Sequence, residues 1–297
     1  MAHRHPQPGD APLLGRLTED RPAQQRPPAD NSRRYRGEAA RWYDAVYAWK
    51  TDDLAFYQAQ ATRWTGPGGA VLELACGTGR TTLSLARAGF LVTALDSAGE
   101  MLEILEAKLA REPEEVRRRV EVVERDMRSF ELDRLFRFIC LPFNSMLLLT
   151  APQERQAMLH RVREHLAPSG AFAFEIFTPD PAKLVALAGW EVDVEVEADD
   201  PGGEGRVHVV RENRRTFDYA AQVTRLEFRT RVSRGEIELA AWEDSFDIAY
   251  VFPRELELLL ERQGFRISDR FGGPDGEPYA PAPGKVQPQF VVTQLVP

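Results

Sequence analysis

Between residues 70 and 177, short apolar runs alternate with stretches of helical period, and this alternation constrains the fold more than any other feature of the sequence. Strands that are apolar on both faces and separated by helices are typical of a parallel sheet covered on both sides. The sequence therefore predicts an α/β fold with a mostly parallel sheet. The predicted strands are Val71–Ala75, Phe90–Leu95, Val120–Glu124, Phe136–Leu141 and Ala171–Ile176, and the predicted helices are Arg80–Ala88, Gly99–Arg111 and Gln153–Leu166.

The flanking regions divide the rest of the chain. Residues 1–34 hold six prolines among polar residues and are predicted to be a disordered tail. Helical spacing of Trp42, Val46 and Trp49 predicts helices over residues 35–64.

The pattern changes to a period of two over residues 190–250, hereafter the insert, which predicts an antiparallel sheet with one exposed face. A helix at Pro253–Gln263 and strands at Phe265–Phe271 and Gln289–Val296 are predicted to follow. We expect residues 35–189 and 251–297 to form one core, from which the insert projects.

Composition excludes several classes of protein. The chain has 297 residues, of which 38 are basic and 46 acidic, giving a net charge of −8. This acidic balance disfavours nucleic-acid binding as its main role. The two cysteines, Cys76 and Cys140, lie far apart and predict neither a disulfide framework nor a metal site. No apolar run approaches the roughly 20 residues that span a bilayer. We therefore expect a cytoplasmic protein.

A glycine-rich turn follows the first predicted strand directly. Val71–Ala75 leads into Gly77-x-Gly79 and then a helix, whose free N–H groups and positive dipole end suit an anionic or polar ligand. A tight turn without a ligand would have the same pattern. A dinucleotide site needs a third glycine where Thr82 stands and has no use for Glu73 inside the strand. A P-loop is excluded because no Gly-Lys-Ser/Thr follows.

Three further strand ends carry residues that suit a nucleoside. Asp96 ends the second strand, where a carboxylate can accept both hydroxyls of a ribose. Asp126 and Met127 end the third, where a carboxylate can bind an adenine amine and a thioether can cover the ring. The fourth ends at Leu141 and Phe143, which bring an aromatic ring to the same edge.

These residues resemble the motifs of class I S-adenosylmethionine-dependent methyltransferases. Residues 73–79 resemble the first motif, with Ala75 where glycine is usual, while Asp96 and Asp126 stand in the second and third. The resemblance implies S-adenosylmethionine as cofactor and a Rossmann-like sheet of seven strands whose last strand is antiparallel. The cofactor-binding residues it implies are Glu73, Ala75, Gly77, Gly79, Asp96, Ser97, Met101, Asp126, Met127, Leu141 and Phe143.

The segment Trp42-Tyr43-Asp44-x-x-Tyr47, together with the insert, resembles small-molecule methyltransferases such as sugar N-methyltransferases and glycine N-methyltransferase-like enzymes. This implies a small-molecule acceptor. The candidate catalytic residues are Tyr43, Tyr47, Asn144 and His208. The alternatives are core packing for the two tyrosines, capping of the following turn for Asn144, and solvent exposure for His208, where exposure is the preferred explanation.

A hydroxyl acceptor needs a general base, and no histidine is clearly placed to act as one, so N-methylation is favoured over O-methylation. An RNA or protein methyltransferase and a catalytically silent cofactor-binding protein are the alternatives. The insert is expected to cover the cleft or to join two copies as a homodimer. Its arginines alternate with glutamates, which indicates cross-strand ion pairs rather than a face for nucleic acid.

Overall fold

The computed structural model describes residues 35–184, 189–281 and 287–296, so the predicted tail at 1–34 lies outside the described residues. The strands are β1 (Ala70–Leu74), β2 (Leu91–Asp96), β3 (Val120–Glu124), β4 (Phe136–Leu141), β5 (Leu166–Thr178), β6 (Glu191–Asp199), β7 (Arg206–Asp218), β8 (Val223–Arg234), β9 (Ile237–Ala249), β10 (Phe265–Phe271) and β11 (Gln287–Leu295). The α-helices are α1 (Glu38–Arg41), α2 (Tyr43–Val46), α3 (Leu54–Thr65), α4 (Arg80–Arg87), α5 (Gly99–Leu109), α6 (Glu114–Arg117), α7 (Pro152–His165), α8 (Pro181–Leu184) and α9 (Pro253–Arg262).

Within the described residues, seven strands form the main sheet in the order β10-β11-β5-β4-β1-β2-β3. Strands β1 to β5 are parallel, and β11 lies antiparallel to both β5 and β10. The predicted mostly parallel sheet of seven strands is therefore confirmed. Strand β5 begins at Leu166 rather than at Ala171, because Leu166 already pairs with Phe136 of β4.

The two faces of this sheet are buried against different helices, as continuous apolar strands require. Leu72 and Leu74 of β1 belong to the cluster that includes residues of α7 and α9. Val71 belongs to the cluster that includes Phe56 and Tyr57 of α3. The carboxyl ends of the parallel strands are thereby fixed at one edge, where ligands bind in open α/β sheets.

The insert forms a second sheet, with β6 to β9 antiparallel and in chain order. At one end of its inner face, Val207, Val209 and Val232 pack on Trp42 and Val46 of the N-terminal helices. The predicted antiparallel sheet is therefore confirmed, and it is seated on the N-terminal helices.

The outer face of the second sheet carries the predicted ion pairs between strands. Arg214 pairs with Glu227 at 2.8 Å, Arg229 with Glu243 at 3.0 Å, and Arg231 with Glu238 at 3.2 Å. These arginines are held by neighbouring carboxylates, which confirms the interpretation of cross-strand pairing. Among the described residues, no helix is long and apolar enough to cross a membrane.

Candidate active site

The turn after β1 is held open by the carboxylate that ends β2. Asp96 accepts hydrogen bonds from the Gly77 N–H at 2.8 Å and from the Ala98 N–H at 2.9 Å. Burial raises the pKa of Asp96, while these backbone bonds oppose the rise. The first and second predicted motifs are thus one connected unit at the sheet edge.

The glycines of this turn are needed for two different reasons. A Cβ on Gly79 would lie 2.2 Å from Leu105 Cδ1, so the absence of a side chain at this position allows the turn to pack against α5. Gly77, at φ 55°, lies in the left-handed region, and a Cβ there would meet Met101 Cε at 3.4 Å. Ala75 also lies in that region, at φ 51°, where an alanine is strained. The conformation explains why glycine is usual at the position of Ala75.

Glu73 lies inside β1 with only 2% of its surface exposed. Its Oε2 accepts a hydrogen bond of 2.5 Å from the Thr82 hydroxyl of α4. Burial raises the pKa of Glu73 to about 8, although the Thr82 bond and the charge of Arg80 lower it. Glu73 therefore ties the start of α4 to β1 and holds a proton at neutral pH.

Glu73→Gln should flatten the pH dependence of stability. The folded protein keeps the Glu73 proton up to about pH 8, whereas the unfolded chain releases it near pH 4.5. Between these values the wild-type free energy of unfolding should fall by up to about 1.4 kcal/mol per pH unit, because the folded state binds more protons. Urea unfolding at about pH 6 and about pH 8.5 should show a smaller loss for the glutamine variant. Equal losses in both proteins would contradict the assignment.

The third predicted motif is occupied by an internal ion pair. Arg128 donates from Nη2 to Asp126 Oδ2 at 2.5 Å and from Nε to Oδ1 at 3.0 Å. Burial raises the pKa of Asp126, but Arg128 outweighs burial and leaves this pKa lowered. Met127 packs against the main core. Any ligand amine at Asp126 must share the carboxylate with Arg128.

The remaining predicted cofactor residues differ in exposure. Met101 is buried beneath the glycine turn, and Leu141 is fully buried in the main core. Ser97 is exposed at the end of β2. Met101 and Leu141 therefore support the sheet edge from below, and Ser97 lies on its surface.

The segment after β4 has a strained backbone. Phe143 and Asn144 are both left-handed, at φ 56° and 59°, and residues held in this way are concentrated at functional sites. The Asn144 side chain does not cap the following 3-10 turn, and its Oδ1 is buried without a hydrogen-bond partner. Helix capping, one of the two explanations of Asn144, is thereby removed.

Aromatic rings from the N-terminal helices reach this strained segment. The Tyr47 ring lies 5.2 Å from that of Phe143 and 4.7 Å from that of Tyr43. Trp49 approaches Phe143 from a third direction at 6.2 Å and is about half exposed. Two of the predicted residues, Tyr47 and Phe143, are thus brought into direct contact.

A buried ion network beneath Phe143 was not predicted from the sequence. Lys50 Nζ lies 3.2 Å from Glu175 Oε1 of β5 and 3.8 Å from Asp53 Oδ2, and Asp53 also pairs with Arg80 of α4. Burial lowers the pKa of Lys50, but the charges of Glu175 and Asp53 outweigh it and leave this pKa raised. The usable signal in the sequence was Glu175, an acid inside an apolar strand, which requires a buried partner.

The N-terminal helices are fastened to the glycine turn. The Thr78 hydroxyl donates to Asp44 Oδ1 at 2.6 Å, and Lys108 of α5 pairs with Asp44 while donating to the Thr78 carbonyl at 2.9 Å. The Asp44 of the predicted Trp-Tyr-Asp segment therefore joins α2 to the first motif. The N-terminal helices cover this side of the sheet edge.

A cavity of about 320 Å³ lies between the sheet edge and the inner face of the insert. Tyr47, Trp49 and Phe143 form its wall on the core side. The insert contributes apolar residues, among them Phe217, Leu226, Phe228, Phe246 and Ile248. Tyr47 and Phe143, which contact each other, both line this cavity.

Arg211 of β7 joins this cavity to the N-terminal helices. Its guanidinium donates to Asp193 Oδ2 at 2.8 Å and Oδ1 at 3.1 Å, and to the Tyr47 hydroxyl at 2.9 Å. It also lies over the rings of Tyr47 and Phe228, at 4.9 Å and 4.6 Å from their centroids. Strands β6 and β7, which carry Asp193 and Arg211, thereby hold the Tyr47 hydroxyl in one position. The roles of Asp193 and Arg211 were not predicted from the sequence, because the charges of the insert were assigned to its exposed face.

His208 does not reach the cavity. It lies on the outer face of β7, between the buried Val207 and Val209, and its Nε2 is 3.4 Å from Glu195 Oε1. The alternation of β7 turns its side chain away from the core, so the structure does not bring this catalytic candidate to the site. In the part of the chain that the structure describes, no group of three His, Cys, Asp or Glu residues could hold a metal.

Comparisons with known sequences identify the class of protein. The family described as methyltransferase domain matches residues 71–170. The cypemycin N-terminal methyltransferase of a Streptomyces species is 32% identical over 212 residues, covering 71% of this chain and 78% of that protein. The dTDP-3-amino-3,6-dideoxy-alpha-D-glucopyranose N,N-dimethyltransferase of Streptomyces fradiae is 28% identical over 252 residues, covering 82% of this chain and 89% of that protein.

Solved structures share the fold. The CcbJ methyltransferase of Streptomyces caelestis has a TM-score of 0.69 at 22% identity, covering 87% of this chain and 97% of that chain. DesVI of Streptomyces venezuelae has a TM-score of 0.67 at 22% identity, covering 88% of this chain and 100% of that chain. The chain belongs to the methyltransferase family. It is an S-adenosylmethionine-dependent methyltransferase with a Rossmann-like fold.

The residues at the sheet edge fit this cofactor. The Asp96 carboxylate ends β2 beside the glycine turn, where a diol can be bound. The buried Asn144 Oδ1 has no partner and can accept a hydrogen bond. The left-handed turn at Gly77 presents backbone rather than side chain. Together these groups offer the acceptors and the open backbone that a nucleoside with an amino acid tail requires.

Proposed function

We propose that the protein transfers a methyl group to the nitrogen of a small-molecule amine bound in the cavity beneath the insert. The observation that carries this proposal is the shared wall formed by Tyr47 and Phe143. Both residues contact each other at the sheet edge and also line the 320 Å³ cavity. An acceptor in the cavity would face a cofactor at the glycine turn across this wall.

Nitrogen is favoured as the acceptor atom for two reasons. The two relatives above are by name an N-terminal methyltransferase and an N,N-dimethyltransferase. A hydroxyl acceptor needs a base, and His208, considered for that role, lies on the outer face of the insert. A neutral amine needs no base for the transfer itself.

Each residue of the sheet edge has a proposed role toward S-adenosylmethionine. Asp96 accepts the ribose hydroxyls, and Asp126 with Met127 contacts the adenine. Backbone groups from Ala75 to Gly79 bind the amino acid tail, while Glu73 supports their turn. Ser97 completes the binding surface, while the buried Met101 and Leu141 support it from below. Phe143 lies near the sulfonium, where an aromatic ring stabilises a cation.

When bound, S-adenosylmethionine would supply a methyl group on a sulfonium. The amine lone pair would form the N–C bond while the S–C electron pair stays on sulfur. Water would then take the proton from the ammonium product. The protein positions the acceptor and excludes water. Arg211 holds the Tyr47 hydroxyl, and the insert covers the cavity. Tyr47, Tyr43 and Asn144 are proposed to act by positioning.

Methyl-labelled S-adenosylmethionine tests this proposal. The purified protein is incubated with a matched panel of amines and phenols, and the products are identified by mass spectrometry. We expect the label on the nitrogen of at least one amine, and about tenfold less product with an Asp96→Asn control at a cofactor concentration well below its Kd. Label on phenol oxygen alone, or no product from a protein that binds the cofactor, would contradict N-methylation.

We also propose a cytoplasmic location and a homodimer formed through the insert. Two buried free thiols, Cys76 and Cys140, support a reducing compartment. The exposed Ile237 and Leu239 of β9 support a contact through the insert. The ion-paired outer face does not favour nucleic acid, so the acceptor remains a small molecule in this proposal.

A further inference from the structure

We propose that the acceptor amine is carried on an apolar, ring-bearing body with at most one anionic group, rather than on a free or nucleotide-linked sugar. This inference rests on the proposed function, because it assigns the cavity beneath the insert to the acceptor. It names the chemical class of the molecule that the cavity binds.

The lining of the cavity is mostly apolar. Rings line it on the core side at Phe143 and Phe177 and on the insert side at Phe228 and Phe246. Leu226 of β8 lies in the same lining. Such walls gain free energy by covering apolar surface, at about 25 cal/mol per Å², and gain little from a ring covered with hydroxyls. An aromatic or aliphatic ring system is the complementary occupant.

Several polar groups of the lining are engaged with one another. Arg211 makes two hydrogen bonds to Asp193 and a third to Tyr47. The Asn213 Oδ1 accepts a hydrogen bond from Arg215 Nε at 3.2 Å. Each sugar hydroxyl left without a partner would lose its hydrogen bonds to water without replacement, so a polyhydroxylated body is disfavoured.

Charge in the cavity also disfavours a diphosphate. Among the described lining residues, Arg211 is neutralised by the carboxylate of Asp193, and Asp180 adds a further carboxylate. Arg215 is exposed at the cavity and bonds to the neutral Asn213. A guanidinium of this kind suits one carboxylate or phosphate, whereas two adjacent phosphates call for several cations.

The size of the cavity agrees with this class. A volume of about 320 Å³ lies at the lower end of the range for ligand cavities, about 300–1,000 Å³, which suits a small ring system.

Calorimetry on the full chain saturated with S-adenosylhomocysteine tests the inference without turnover. The probes are an arylalkylamine, an amino-deoxyhexose methyl glycoside of similar size, and a nucleoside diphosphate-linked amino sugar. We expect the arylalkylamine to bind at least about tenfold more tightly than either sugar, since burial of one ring is worth more than about 1.4 kcal/mol. Tighter binding of either sugar, or no binding of the arylalkylamine, would overturn the inference.

A pair of matched variants locates the binding. Leu226→Gln places an amide in the cavity wall and should weaken arylalkylamine binding at least about tenfold, by desolvating an unpaired polar group. Leu258→Gln, the same change on an exposed residue of α9, should have no effect. Equal affinities of the two variants would overturn the assignment. An arylalkylamine that binds but accepts no label would contradict the proposed transfer and leave the cavity assignment standing.

Discussion

Asp96→Asn is expected to weaken S-adenosylmethionine binding by about tenfold or more, because charge-assisted hydrogen bonds are worth about 1.5–3 kcal/mol. The carboxylate also holds the Gly77 and Ala98 N–H groups. An asparagine can keep one of these bonds through its carbonyl, so the variant should fold while losing the diol acceptor. Isothermal titration calorimetry measures the change directly.

A control for this change is Asp133→Asn. Asp133 is an exposed acid that precedes the amino end of β4, at the opposite edge of the sheet. The Asp133→Asn substitution removes the same charge as Asp96→Asn and should leave cofactor affinity unchanged. If Asp96→Asn bound the cofactor as tightly as this control, the second motif would be wrongly assigned.

Arg211→Met should lower the rate of methyl transfer by about tenfold or more, because removing one partner of a largely buried ion pair leaves the other uncompensated. Methionine preserves the apolar stem against the rings of Tyr47 and Phe228 but loses all three hydrogen bonds. The cofactor contacts proposed for Asp96 are untouched, so cofactor affinity should change little. Initial rates with an amine from the labelled screen, beside calorimetry, separate the two effects.

Tyr47→Phe isolates one part of this arrangement. It removes the hydroxyl that Arg211 holds and keeps the ring that contacts Phe143. We expect a smaller fall in rate than for Arg211→Met, with thermal unfolding nearly unchanged. A folded Arg211→Met variant with the wild-type rate would show that the insert does not act through Tyr47.

The fold followed from local patterns, since each strand of the main sheet is a run of apolar residues that needs cover on both faces. The strand boundaries that differ from the prediction depend on pairing between strands. Strand β5, for example, begins at Leu166 because that residue pairs with Phe136. The antiparallel sheet of the insert was equally predictable from its period of two. The position of that sheet on Trp42 and Val46 was not, because periodicity does not identify the surface against which a face packs.

The meeting of the candidate cofactor residues was predictable because the residues that end parallel strands meet at one edge. The contacts around the cavity join distant parts of the chain. Lys50 meets Glu175 across 125 positions, and Tyr47 meets Arg211 across 164. A sequence shows that a buried acid needs a partner, but it does not show which distant cation supplies one.

The central claim is that an amine lies beneath the insert and faces the cofactor across Tyr47 and Phe143. A crystal structure with S-adenosylhomocysteine and an amine methylated in the labelled screen tests it most directly. We predict that the amine occupies the cavity between the sheet edge and the insert, with its nitrogen directed past Tyr47 toward the sulfur. An acceptor bound outside this cavity, with the insert making no contact to it, would contradict the account.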